Sequence, residues 1–189
     1  MPSRTATLSG FSTSLYSTST FASPSVGIAT ASDDTTIQTI GKGPGGVATN
    51  TVFGYQALNS NTTGAGNIAI GYQVGQANTT GINNIFIGRC AGYSNTFGGS
   101  NNFFGRYAGC VNTTGGNNNF IGNVSGCSNT FGSFNNFFGI LSGAKNTTGC
   151  YNNFLGNRAG FSNTTGNHNF FGGYTAGFNN TTGTNNNFF

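Results

Sequence analysis

The chain has 189 residues, of which 33 are Gly and 19 are Phe, and only 4% are charged. So many aromatic residues argue against disorder, and the abundance of Gly, Asn, Ser and Thr argues against helices. The net charge is +4 and the only acids are Asp33 and Asp34, which excludes most acid–base catalysis and carboxylate metal sites. We therefore predict an all-β protein that is not an enzyme, with no catalytic residue, no metal site and no cofactor.

The first 49 residues differ in composition from the rest. They are rich in Ser and Thr, and their apolar residues are too sparse for a core of their own. We predict an extended arm that attaches the chain to another subunit or protein, with "GKGPGG" (41–46) as a hinge; a flexible tail is the alternative. The start lacks the apolar core of a secretory signal peptide, and no stretch approaches the length of a membrane span.

From Asn50 the chain consists of 17-residue units. The first reads NTVFGYQALNSNTTGAG and the fourth NNFFGRYAGCVNTTGGN, while the eighth, NFFGGYTAGFNNTTGTN, reads as displaced by one residue around its Phe pair. Short β-prone runs joined by Gly-containing turns at a constant period are typical of a solenoid. We predict a parallel β-solenoid over residues 50–189, with one coil per repeat, eight repeats, and further repeats after residue 189.

The Phe pairs decide how the coils are packed. Successive side chains of a strand face opposite ways, so one member of each pair points inward and the other outward. We predict that the fourth position, together with the small eighth position, fills the coil: Phe53, Ile70, Ile87, Phe104, Ile121, Phe138 and Leu155. The third position then forms an exposed apolar stripe and the oligomer interface: Phe86, Phe103, Phe120, Phe137, Phe154 and, in the displaced unit, Phe170.

Every unit carries Asn at its twelfth position, followed by Thr. Stacking the coils places these side chains above one another, and stacked amides can bond to each other and to turn backbone. We predict an Asn ladder of Asn61, Asn78, Asn95, Asn112, Asn129, Asn146, Asn163 and Asn180. Six of these begin an N-T-T sequence that also matches a glycosylation acceptor, but a ladder explains all eight units.

The remaining reactive side chains give weak signals. Cys110 and Cys127 share the tenth position of adjacent units, where a disulfide is geometrically marginal and free thiols are the favoured interpretation. No cysteine spacing of the C-x-x-C type indicates a metal site. His168 has no carboxylate to orient it, and the basic residues are dispersed, which does not indicate nucleic-acid binding.

The repeats NTVFGYQALNSNTTGAG and NNFFGRYAGCVNTTGG resemble those of bacteriophage tail-fibre and other virion structural proteins, those of cyanobacterial phages especially. They are more distantly similar to the shorter head repeats of trimeric autotransporter adhesins. The resemblance covers residues 50–189. It implies a fibrous, oligomeric surface protein, expected to be a trimer.

We therefore expect a structural protein whose solenoid is a rigid shaft, in a virion fibre or, alternatively, in an extracellular helical filament bridged by the N-terminal arm. A binding module, adhesin-like or ice-binding, is a further alternative. The expected partners are copies of the chain, other virion proteins at the arm, and a host-surface glycan as a candidate ligand. Nucleic acid and membrane insertion are not expected.

Overall fold

The computed structural model describes residues 38–189, so most of the predicted arm lies outside the described residues. The described part forms one ten-stranded sheet in which the strands follow chain order. The strands are β1 (Gln38–Gly41), β2 (Thr51–Tyr55), β3 (Ile68–Ile70), β4 (Ile85–Ile87), β5 (Asn102–Phe104), β6 (Asn119–Ile121), β7 (Asn136–Phe138), β8 (Asn153–Leu155), β9 (Phe170–Gly172) and β10 (Asn187–Phe188). The predicted all-β solenoid is confirmed.

Strands β2 to β10 are parallel, and each residue pairs with the residue one repeat further along the chain. Phe103 pairs with Phe86 on one side and with Phe120 on the other. The eighth unit keeps this register, because Phe154 pairs with Phe171 and Leu155 with Gly172. The predicted displacement of that unit is therefore wrong: Phe is its second residue as well as its third, and Gly172 replaces the apolar residue of the fourth position.

Hydrogen bonds between coils continue outside the strands. Gly92 N–H donates to the Ala108 carbonyl at 2.9 Å, and Thr96 N–H donates to the Thr113 carbonyl at 3.0 Å. Bonds of the same kind are made at the seventh position, where non-Gly residues have left-handed backbone conformation. Tyr107 and Val124, for example, have φ of 58° and 61°. A left-handed non-Gly residue costs roughly 1–2 kcal/mol, and the bond from Tyr107 N–H to the Arg89 carbonyl, at 2.9 Å, offsets part of this cost.

The core of the coil is built on the third position, not on the fourth. Phe103 and Phe120 are completely buried, whereas Ile121 is 39% exposed. Strands β3 to β9 have three residues each, so the middle residue points into the coil and the two flanking residues point out. The prediction that the fourth position fills the coil and the third position forms an exposed stripe is therefore wrong, because the two positions have the opposite roles. The inner column, as we call the third positions, is Val52, Ala69, Phe86, Phe103, Phe120, Phe137, Phe154 and Phe171.

Rings of the inner column stack along the solenoid axis. Phe103, Phe120 and Phe137 are spaced 4.9 and 4.8 Å apart between centroids, with interplanar angles of 5° and 8°. Each ring lies against the backbone of the ninth position, where a Cβ on Gly109 would come within 2.5 Å of the Phe103 ring. The ninth-position glycine is therefore required by the ring as well as by its φ of 56°.

The first two coils fill the same space differently. Their third positions are the smaller Val52 and Ala69, and Leu58 occupies the ninth position of the first coil as a buried side chain. Leu58 Cδ2 and the Phe86 ring both lie against Gly75 of the second coil. The loss of volume at the third position is thus offset by larger side chains at neighbouring positions, which keeps the interior packed.

The segment predicted as a hinge instead covers the N-terminal end of the solenoid. Strand β1 pairs antiparallel with β2, and a 3-10 turn follows at Pro44–Gly46. A Cβ on Gly43 would lie 3.0 Å from Val52 Cγ2 and 3.8 Å from Leu58 Cβ. Residues 38–46 therefore form an N-terminal cap on the chain's own first coil, a role that terminal units of repeat proteins commonly fill.

Candidate association surface and inner ladders

The twelfth-position asparagines form a continuous hydrogen-bonded ladder inside the turns. In the middle of the chain, Asn112 Nδ2 donates to Asn95 Oδ1 at 2.7 Å, and Asn129 Nδ2 donates to Asn112 Oδ1 at 2.8 Å. The same amide nitrogen of Asn112 also donates to the Gly115 carbonyl at 2.9 Å. We call this set the turn ladder; its members are Asn61, Asn78, Asn95, Asn112, Asn129, Asn146, Asn163 and Asn180.

A second asparagine ladder, which sequence reasoning missed, lies at the first position. Asn101 Nδ2 donates to the Gly115 carbonyl at 2.8 Å, and Asn118 N–H donates to Asn101 Oδ1 at 3.0 Å. The members of this strand ladder are Asn50, Asn67, Asn84, Asn101, Asn118, Asn135, Asn152, Asn169 and Asn186. The first position is Asn in all eight repeats and again at Asn186, where the next repeat begins, and this regularity could have indicated the ladder.

The two ladders meet at one carbonyl in each coil. The Gly115 carbonyl accepts from Asn101 and from Asn112. A Cβ on Gly115 would lie 2.5 Å from Asn112 Oδ1, and Gly115 is not among the positive-φ residues. The nearest atom to that Cβ is the carbonyl oxygen of Gly132 in the next coil, so the fifteenth-position glycine is set by the close approach of the next coil and of the turn ladder and not by backbone conformation. Buried polar groups satisfied in this way rigidify a structure.

Burial of the turn ladder bears on the N-T-T sequences. Asn78, Asn112 and Asn146 are completely buried, and their amide nitrogens already donate two hydrogen bonds each. In the folded solenoid these nitrogens are not accessible to a glycosylating enzyme. The sequence pattern is thus accounted for by the turn and its ladder.

The threonines that follow the turn ladder also bond within the solenoid. Thr113 Oγ1 donates to the Thr130 carbonyl at 3.1 Å, and Thr130 Oγ1 donates to the Thr147 carbonyl at 3.2 Å. The next position is exposed and includes the bulky Phe97 and Phe131. The hydroxyls do not present a flat, free array to water, so this face does not favour the ice-binding alternative.

The fourth position, predicted to fill the coil, lies on the outside of the sheet. Phe53 is 53% exposed and Phe138 is 39% exposed, while Ile87 and Phe104 are half-buried. These side chains form one apolar stripe along the solenoid axis. We call this stripe the outer column; it consists of Phe53, Ile70, Ile87, Phe104, Ile121, Phe138 and Leu155.

The outer column is flanked by the second position, which also faces outward. This position is Ile68 and Ile85 in the second and third coils, so both outward columns are apolar there. From the fourth coil it becomes a third asparagine ladder, in which Asn102 Nδ2 donates to Asn119 Oδ1 at 2.7 Å. Phe170, predicted to be an interface residue, occupies this position in the eighth coil and is half-buried.

No charged residue lies on this face in the part of the chain that the structure describes. The cations of the repeats lie in turns, at Arg89, Arg106, Lys145 and Arg158. Arg106 lies over the Tyr107 ring at 4.8 Å, and Arg89 lies between Tyr72 and Tyr107 at 5.6 and 6.0 Å. The outward face of the sheet is therefore apolar and amide-lined, and Arg89 and Arg106 lie beside aromatic rings elsewhere.

The single histidine, His168, lies in a column of stacked rings and not in a cluster of reactive side chains. His168 stacks on Tyr151 at 4.9 Å, and Tyr151 stacks on Phe134 at the same spacing, as an exposed aromatic column at the seventeenth position. Among residues 38–189, no group of three or more His, Cys, Asp or Glu side chains could hold a metal ion. Nor does any helix of that region have the length and apolar character needed to cross a membrane.

Comparisons with protein-family models, with curated proteins and with solved structures found no match for this chain. The repeat geometry therefore carries the functional argument.

Two signals in the sequence could have placed the Phe pairs correctly. From the third coil onward the third position is always Phe, whereas the fourth varies between Phe, Ile, Leu and Gly. Gly172 at the fourth position would leave a void in a packed core but leaves none on an outer surface. The third position also becomes small only where Leu58 or Val74 supplies the missing volume.

Proposed function

We propose that this chain is a structural fibre protein, in which the solenoid is a rigid shaft that associates laterally with copies of itself through the outer column. The uncovered apolar stripe on an uncharged sheet face carries the proposal. A contiguous apolar stripe along an uncharged sheet face is typical of an interaction site.

A second copy of the chain is the occupant that fits this face. Side chains of the outer column recur once per coil, at the strand spacing of about 4.8 Å. A partner with the same rise per coil can place its own side chains between them along the full length. Neither partner brings a charge to the face, so association leaves no charge buried without a counter-ion. Three copies packed around a common axis is the arrangement that we propose.

The N-terminal cap favours lateral over end-to-end association. Strand β1 occupies the hydrogen-bonding edge of β2, and Gly43 and Gly45 lie over the first coil. A neighbouring solenoid cannot continue the parallel ladder at this end without displacing them. We therefore place the extracellular helical filament, in which subunits stack head to tail, second to a laterally assembled shaft.

The repeat resemblance supports a virion fibre of the bacteriophage type as the assembly to which this shaft belongs. In that role the work of the chain is mechanical and involves no catalytic step. Three kinds of contact run along the axis: backbone hydrogen bonds, two buried asparagine ladders and stacked Phe rings. Together these contacts resist bending of the shaft. We assign residues 1–37 to the arm that attaches the shaft to another virion protein.

Sedimentation equilibrium and electron microscopy of the full chain test this proposal together. We expect the mass of three chains and thin straight rods of constant width. A monomer at micromolar concentration would contradict association, and continuous helical polymers would support the filament instead. Immunogold labelling of particles from the natural source then distinguishes a virion fibre, labelled at discrete projections, from a free assembly.

A further inference from the structure

Two cysteines occupy the same position of adjacent coils. Cys110 and Cys127 occupy the tenth position of the fourth and fifth coils, and both are free and half-buried. Side chains of this position keep register along the axis, because Phe161 and Phe178 stack there at 5.1 Å with an interplanar angle of 6°. The two thiols are therefore neighbours held by the fold and not by a flexible loop.

The surroundings of the two sulfur atoms differ. Cys110 Sγ donates to the Cys127 carbonyl at 3.4 Å, and Cys127 Sγ donates to the Ala144 carbonyl at 3.4 Å. In addition, the Ser128 hydroxyl lies 3.9 Å from Cys127 Sγ and can donate to that sulfur. A thiolate is therefore better supported at Cys127 than at Cys110.

The protonation of the pair follows from these contacts. The adjacent Cys110 thiol, with help from Ser128, lowers the pKa of Cys127 to about 7, against the effect of burial. The adjacent Cys127, together with burial, raises the pKa of Cys110. One sulfur can act as the nucleophile near neutral pH while the other stays protonated beside it, an arrangement that is common in redox-active cysteine pairs.

An open groove lies beside this pair and ends at Cys110, while Cys127 in the next coil is itself only half-buried. The groove has a volume of about 420 Å³ and is lined by Cys110, Cys90, Tyr93, Tyr107, Gln73 and neighbouring residues. Arg89 and Arg106 lie over the Tyr107 ring at its wall, and residues 38–189 contain no carboxylate side chain to neutralise them. The groove therefore favours a small, negatively charged molecule.

We propose that Cys127 and Cys110 form a thiol–disulfide exchange site for a low-molecular-weight anionic disulfide of the glutathione type. The Cys127 thiolate attacks one sulfur of the disulfide, forming a mixed disulfide and releasing one thiolate, which takes up a proton. The Cys110 thiol then loses its proton to solvent and attacks the Cys127 sulfur, releasing the second thiolate. In total, two protein thiols are oxidised to one disulfide and one small disulfide is reduced to two thiols.

The resulting Cys110–Cys127 disulfide links two adjacent coils and can be reduced again. The Cα atoms of adjacent coils are about 4.8 Å apart, within the range that a disulfide spans, but a Cβ–Cβ distance near 3.8 Å requires the two coils to approach slightly. Disulfides that need such adjustment are reduced more easily than relaxed structural ones. The site therefore responds to the ratio of small thiols to disulfides around the shaft.

Mass spectrometry of the full chain after incubation with glutathione disulfide tests the site. We expect the wild-type chain to lose two hydrogens, to retain no glutathione, and to give a Cys110–Cys127 cross-linked peptide. Cys110→Ser should retain one glutathione on Cys127, because the resolving thiol is gone. Cys127→Ser should react roughly tenfold more slowly, because burial still raises the pKa of the remaining Cys110 thiol and the thiolate is the nucleophile.

Cys150→Ser is the matched control, because Cys150 lies outside the groove, and it should behave as the wild type. Peptide mapping of the wild-type chain needs no variant, so the proposal stays testable if a substitution disturbs folding. Equal modification of all four cysteines, or stable glutathione on the wild-type pair, would overturn it. Cystamine, a cationic disulfide, should react more slowly than glutathione disulfide at low salt, and equal rates would overturn the role of Arg89 and Arg106.

Discussion

The inner and outer columns are adjacent in the sequence and have similar composition, yet they lie in opposite environments. Phe103 and Phe104 are consecutive residues, and only the first is completely buried. The inner column fills a coil with rings that fit against glycine, so its residues are fixed by shape. The outer column needs only to be apolar, which is why it accepts Phe, Ile or Leu. Neighbouring apolar residues can therefore serve folding and association separately.

The largest effect is expected from truncating the inner column. Phe120→Ala removes a ring that stacks on Phe103 and Phe137, and should lower the free energy of unfolding by about 3–5 kcal/mol because a cavity remains. Ile121→Ala, one residue later, should lower it by about 1 kcal/mol or less, since that side chain is partly exposed. Urea titrations followed by circular dichroism measure both; equal losses would refute the assignment of the two columns.

The next largest effect is expected from adding a methyl group against the inner column. Gly109→Ala brings a Cβ to 2.5 Å from the Phe103 ring, which should cost roughly 1–3 kcal/mol through overpacking, and its left-handed backbone adds roughly 1–2 kcal/mol. Gly172→Ala is the outer counterpart, because the atoms nearest to its Cβ belong to the Phe170 and Phe189 side chains, at 3.1 and 3.4 Å. Thermal unfolding should separate the two, and a neutral Gly109→Ala would contradict the packing described.

Interruption of a buried ladder is expected to have a smaller effect. Asn112→Ala leaves Asn95 Oδ1 and Asn129 Nδ2 without one partner each, and unsatisfied buried groups cost about 1–3 kcal/mol. Asn119→Ala interrupts only the outward ladder, whose groups can bond to water instead, and should cost less than about 1 kcal/mol. The comparison is made by denaturant titration of both variants, and the reverse order would show that the outward ladder is the structural one.

Most of the fold could be predicted from the 17-residue repeat period. It indicated the solenoid, the register and the turn-ladder asparagines, because like positions must stack when coils have equal length. It did not reveal which of Phe103 and Phe104 points inward. Side chains alternate between the two faces of a strand, and the face that points into the coil is known only when the positions of the turns are known. Residues 41–46 were also misjudged: Gly and Pro indicate a chain reversal equally well in a hinge and in a cap, and only contacts with Val52 and Leu58 distinguish them.

The sedimentation mass of one variant pair tests most directly whether the outer column joins copies of this chain. Ile121→Asp with Phe138→Asp places two charges on the column, while Asn123→Asp with Ile140→Asp places two charges on exposed turn residues of the same coils. We predict that the first pair sediments as a monomer with an unchanged circular dichroism spectrum, and that the second keeps the wild-type oligomeric mass. An oligomer that survives charges on the outer column would contradict the account.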